Sequence, residues 1–161
     1  MGMLSKRLGS YIYVLAVIGL LAYGAAALVT VADIVGRRLG MPIEGVVDLV
    51  QLFVMGGAWL VMPFAFLTSA HVGVDFVIDR FPAGARDACR IFGLVIAIVL
   101  LSLMLWYGYA TASQRIMFGD MSQELGIPII WYWLPQLLGM AASIVAVVLV
   151  IFGIINKEAA Q

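Results

Sequence analysis

Charged residues along the chain are confined to short segments, and four long apolar stretches run between them. The stretch from Arg7 to Asp33 encloses 25 uncharged residues, that from Asp48 to His71 22, that from Arg90 to Arg115 24, and that from Glu124 to Lys157 32. A helix crosses a hydrocarbon core of about 30 Å with about 20 residues, so each stretch is long enough to span. None alternates polar and apolar positions as a barrel strand would. Backbone groups in lipid must be satisfied within the segment, so the stretches are expected to be α-helices. The pattern predicts helices near Tyr11 to Val35, Val46 to Ser69, Ile91 to Arg115 and Ile129 to Ile155. The expected fold is all-α: an integral membrane protein with four transmembrane helices, forming one domain over residues 1–161.

Composition strengthens this picture. With 65% hydrophobic and 11% charged residues and a mean hydropathy of +1.12, too little polar surface remains for a water-soluble domain. The connectors are too short to hold a second folded unit, and no nucleic-acid partner is expected. Lys6 and Arg7 before an apolar run that contains Ala25 and Ala27 resemble a signal peptide. A secretory apolar region is usually about 7–15 residues, so an uncleaved first helix is the expectation. Cys89 is the single cysteine, which excludes an intrachain disulfide.

Lys and Arg are retained on the cytoplasmic side of short loops. With the N-terminus inside, Lys6, Arg7, Arg80, Arg86, Arg90 and Lys157 are cytoplasmic, and Arg37, Arg38 and Arg115 lie outside. Both termini are therefore expected in the cytoplasm. The outer segments also collect Asp33, Glu44, Asp48, Asp120 and Glu124.

Small residues let helix backbones approach in lipid. Gly56, Gly57, Gly139 and Ser143 are candidate helix-packing residues on this ground, and Trp59 is a further one. Pro63 removes a backbone donor from the second helix and predicts a kink just before it. Pro128 suits the first turn of the fourth helix, and Trp131, Tyr132 and Trp133 suit a belt at the membrane interface.

Two polar constellations stand out. Glu44, Asp48 and Gln51 recur at spacings of four and three, on one face of the second helix's entry. Carboxylates there favour the helix N-terminus, or form an acidic surface for a basic partner; Arg37 or Arg38 could also neutralise them within the chain. On the other side, His71, Asp75 and Asp79 recur every four residues beside an apolar stripe of Val74, Val77, Ile78 and Phe81. That pattern predicts a short interfacial helix between the second and third spans, ending before Pro82. A His71–Asp75 hydrogen bond would fix the turn, and one histidine with two carboxylates lacks the ligand set of a metal site.

The middles of all four stretches lack Asp, Glu, Lys, Arg and His. Such residues mark ion routes and substrate counter-charges inside membranes, and four helices leave little room for paired transporter repeats. No acid–base, metal or nucleophile constellation suggests an enzyme, and no cofactor is expected. The physics points to an accessory or scaffold subunit; the alternative is a self-contained oligomeric small-molecule exporter.

The segments Gly36-Arg37-Arg38-Leu39-Gly40-Met41-Pro42-Ile43-Glu44 and His71-Val72-Gly73-Val74-Asp75, then Leu125-Gly126-Ile127-Pro128, Trp131-Tyr132 and Leu134-Pro135, carry a family resemblance. In order and spacing the chain resembles the small, DctQ-like membrane subunit of tripartite ATP-independent periplasmic (TRAP) transporters. Val47-Asp48 stands where that family often has a glutamate-rich helix start, so the charge is kept with a shorter reach. The resemblance implies residence in a bacterial or archaeal cytoplasmic (inner) membrane, surrounded by lipid. It implies two protein partners, a large multi-spanning subunit with a sodium-coupled pathway and a periplasmic substrate-binding protein. Sodium is then expected in the large subunit, and the cargo is a small organic acid. Arg37, Arg38, Glu44 and Asp48 would form or support the outer docking region, while His71 and Asp75 fix the cytoplasmic turn.

Overall fold

The computed structural model describes residues 3–68 and 83–158, and these are helical apart from two connecting loops and an isolated bridge. Helix α1 covers Met3–Arg38, α2 Val46–Leu67, α3 Ala83–Met117 and α4 Ile130–Glu158. Each contains a segment long and apolar enough to cross a membrane. The predicted interfacial helix over residues 71–81, with His71 and Asp75, lies outside the described residues.

Helix α2 begins at the expected residue, whereas α1 and α3 each begin eight residues earlier than the charge pattern predicts (11 − 3 and 91 − 83). The cause is physical. Charged positions such as Arg90 mark where the chain leaves hydrocarbon, but a helix with its own backbone bonds satisfied can continue into the headgroup layer and water. At 1.5 Å per residue α1 and α3 are each more than about 50 Å long, well beyond the core thickness.

The helices stand in a row, α1–α2–α4–α3: α2 packs on α1 and on α4, and α3 packs on α4. Small residues set the two inner seams. Gly19 of α1 faces Gly57 of α2, where a Cβ on Gly57 would stand 2.9 Å from the Gly19 carbonyl oxygen. On the other side of α2, Gly139 of α4 backs onto the main chain of Trp59, and Gly56 meets the Pro135 ring. Pro63 lies inside α2 and has no N–H to donate to the Trp59 carbonyl four residues back. The carbonyl that proline leaves without its helical partner is the one that Gly139 approaches. Ser143 is fully buried one turn beyond, its hydroxyl donating to the Gly139 carbonyl at 2.7 Å.

Nearer the termini, Ile12, Phe66, Leu101, Ala146 and Val147 form a buried apolar cluster drawn from all four helices. The loops 39–45 and 118–129 lie together at the opposite, distal end.

Candidate functional site

The distal end is built from two helix stops of one kind. Helix α1 ends where Gly40 takes φ +76°, with the Met41 N–H on the Gly36 carbonyl at 2.8 Å and the Gly40 N–H on that of Arg37 at 3.3 Å. Helix α3 ends where Gly119 takes φ +70°, with Asp120 bonded back to Arg115 and Gly119 to Ile116, both at 3.0 Å. This is the Schellman arrangement, which needs a left-handed residue just past the helix and satisfies its last carbonyls.

Each loop is then held by a buried carboxylate. Asp33, 6% exposed, accepts the Arg37 Nε–H at 2.7 Å and the Ile43 N–H at 3.2 Å. It ties the last turn of α1 to the loop that follows. Asp48, 5% exposed, accepts the N–H groups of Glu124 and Leu125 at 2.9 and 2.8 Å. It ties the first turn of α2 to a loop more than 70 residues away. The Tyr132 hydroxyl donates to the Asp48 carbonyl at 3.0 Å, so α4 joins the same clamp.

The 118–129 loop is itself a small hairpin. Ser122 N–H bonds the Ile127 carbonyl at 2.9 Å, Ile129 N–H that of Asp120 at 3.0 Å, and the Ser122 hydroxyl accepts the Ile127 N–H at 2.9 Å. Met121 and Pro128 face each other as an antiparallel bridge. Its tip drops the Leu125 side chain onto Gly45, the residue heading α2, which takes φ +73°. A Cβ at Gly45 would overlap that side chain and sit in a conformation that costs an L-residue about 1–2 kcal/mol. Gly45→Ala is therefore expected to lower the thermal midpoint in detergent, and adding Leu125→Ala should recover only the steric part. An unchanged midpoint for Gly45→Ala would show that the loop does not press on α2.

The four candidate docking residues separate into different roles. Arg37 is turned to Asp33 rather than to Glu44 or Asp48, and Asp48 is enclosed by the hairpin. Arg38 and Glu44 are exposed, and among the described residues neither makes an ion pair. Of the candidate packing residues, Gly57 of α2 faces α1, Gly56 and Trp59 of α2 face α4, Gly139 of α4 meets Trp59, and Ser143 is buried one turn beyond Gly139. Sequence reasoning missed Asp33, Ser122, Leu125 and Tyr132. The four-residue spacing of Asp33 and Arg37 was a usable signal. Of the consecutive aromatics expected as a belt, Trp131 is 57% exposed, while Tyr132 is turned inward at 7%. Consecutive helical positions differ by about 100°, so the three could not share one environment.

Beside the clamp a cleft of 490 Å³ opens between α2, α4, the hairpin and the end of α3, with Gln51, Arg115, Trp133 and Gln136 on its walls. The site offers hydrogen-bonding chemistry: a pinned loop surface, exposed charges of both signs and an amide-lined cleft.

Residues 26–156 match the family of tripartite ATP-independent periplasmic transporters, DctQ component. The match takes in the distal third of α1, both loops and both carboxylate clamps. No curated protein matches the chain. The chain belongs to the DctQ family and is a transporter component rather than an enzyme.

Proposed function

We propose that the chain is a scaffold subunit that supports the large transport subunit of a sodium-coupled uptake system for small organic acids and helps dock its periplasmic substrate-binding protein. The observation that carries this reading is the distal cap, in which Asp33 and Asp48 fix two loops and leave Arg38 and Glu44 exposed. Both termini in the cytoplasm, as the bias of basic residues favours, would turn this cap toward the periplasm. A rigid surface with unengaged charges suits a soluble partner, because complementary charges steer encounter and set register. The apolar spans suit a supporting role. Their middles offer no counter-charge for a carboxylate and no anionic ligand for sodium, so cargo and ion belong in the larger partner.

Reversing these two charges, Arg38→Glu with Glu44→Arg, tests the docking role without touching either clamp. The substrate-binding protein concentration giving half-maximal uptake in proteoliposomes is expected to rise about tenfold at low salt, and less at high salt. Co-purification of the large subunit should be unchanged. Unaltered uptake removes the docking assignment, and loss of co-purification reassigns the pair to assembly.

A further inference from the structure

Gln51 lies five residues into α2 and Gln136 six residues into α4, near the distal ends of their apolar spans. At 1.5 Å per residue both lie about 8–9 Å along their helices from the distal starts. Both line the 490 Å³ cleft, and among the described residues neither side chain hydrogen-bonds another part of the chain. Gln51 is exposed and Gln136 half-buried, and an amide that faces lipid without a partner is costly, so within a membrane the cleft favours a polar occupant.

Arg115 stands on the same cleft two residues from the end of α3. Its closest acid, Asp120, is 4.0 Å from Nε, beyond hydrogen-bonding distance, so the guanidinium fork remains open to another anion. A second groove of 450 Å³ adjoins the cleft across Val47, Gln51 and Met55; its further walls are Thr30, Val46, Val50 and Val54. A cation stands at the helix end, amides lie a turn or more along, and beside them runs an apolar wall from Val46 at the start of α2 to Val54 and Met55 beyond Gln51. A glycerophospholipid has the same order, phosphodiester, ester carbonyls, acyl chain.

We propose that this cleft is a glycerophospholipid site. Arg115 takes the phosphodiester, the Gln51 and Gln136 amides donate to the ester carbonyls, and an acyl chain lies along Val50 and Val54. A partner protein's polar segment would meet the amides and arginine equally well. It would leave the adjoining apolar groove without a matching chain, which favours the lipid.

The proposal needs the membrane reading but not the transport role, and its test is independent of uptake. The full chain, purified in mild detergent and stripped of lipid, is titrated with palmitoyl-oleoyl phosphatidylglycerol and followed by native mass spectrometry. One lipid per chain is expected. Diacylglycerol with the same acyl chains should bind about tenfold or more weakly, because it lacks the charge-assisted contact, and excess inorganic phosphate should not displace the phospholipid. Arg115→Gln and the double variant Gln51→Leu with Gln136→Leu should each weaken binding about tenfold, without lowering the thermal midpoint, since neither removes an intrachain hydrogen bond. Equal binding by both variants, equal affinity for diacylglycerol, or displacement by phosphate would each overturn the site. A photoreactive benzoylphenylalanine at Val47, irradiated in native membranes, should capture lipid; capture of a protein segment would give the cleft to a partner instead.

Discussion

Asp48→Ala is expected to free the 118–129 hairpin from α2 and to abolish transport by the assembled complex. The carboxylate accepts both amides at the hairpin tip, while the Asp48 carbonyl accepts the Tyr132 hydroxyl. Alanine keeps the carbonyl and removes the carboxylate, which leaves the Glu124 and Leu125 N–H groups without their acceptor. A part-buried donor left in this way favours local opening toward water. Amide hydrogen exchange at Glu124 and Leu125 should rise about tenfold or more, since each 1.4 kcal/mol of lost protection is a factor of ten. Exchange in the buried cluster around Val147 should not change. Asp48→Asn retains one carbonyl oxygen able to accept the same amides, so its effect should be smaller. Equal protection in wild type and Asp48→Ala would remove the clamp, and normal transport by a protein with an opened hairpin would separate the clamp from function.

The second large effect is expected at Gly139. A Cβ there would stand 2.6 Å from the Trp59 carbonyl carbon and 2.9 Å from its Cβ, and closer still to its carbonyl oxygen. Those atoms belong to the α2 main chain or its root and cannot swing aside, so α2 and α4 would have to part. Overpacking of this kind costs about 1–3 kcal/mol, and for alanine it opposes a helix-propensity gain of about 1 kcal/mol. Gly153 and Gly93 provide the control, because a Cβ at either meets nothing within 4 Å. Gly153→Ala and Gly93→Ala should therefore be neutral or slightly stabilising in detergent melts. Gly139→Ala should lower the midpoint, and Gly139→Leu should lower it much further and disperse the α2–α4 pair. A Gly139→Leu protein as stable as wild type would mean that the seam is looser than the close approach to Trp59 requires.

Gly139 and Asp48 differed in legibility. Gly139 was visible as a candidate because small residues in apolar helices have one principal use, close packing, even though its neighbour was hidden. Asp48 carried a misleading signal. Its spacing to Glu44 and Gln51 suggests one polar face, yet the carboxylate is enclosed while Gln51 remains exposed toward the cleft. A helical wheel records direction around an axis, and cannot know that a hairpin from the far side of α3 folds over one part of that face. Arg37 had several acids within reach by sequence; its partner is Asp33, one turn back, because the i,i+4 geometry is already formed when the helix is.

What the sequence by itself determined is what the bilayer determines: the number of spans, their helical character, the exclusion of charge from their middles and the family resemblance that the match over residues 26–156 bears out. These follow from properties local in the chain, since the hydrocarbon acts on each segment separately and a helix satisfies its own backbone. Even there, helix length escaped it, because water does not end a helix that lipid has begun. Only the tertiary structure decided the row order α1–α2–α4–α3, the Gly19–Gly57 and Gly139–Trp59 contacts, and the capture of a distant hairpin by Asp48. Lipid and protein are alike to an apolar side chain, so hydropathy assigns no neighbour. The choice is made by close fit between backbones and by a few buried donors and acceptors that find partners only once the helices are side by side.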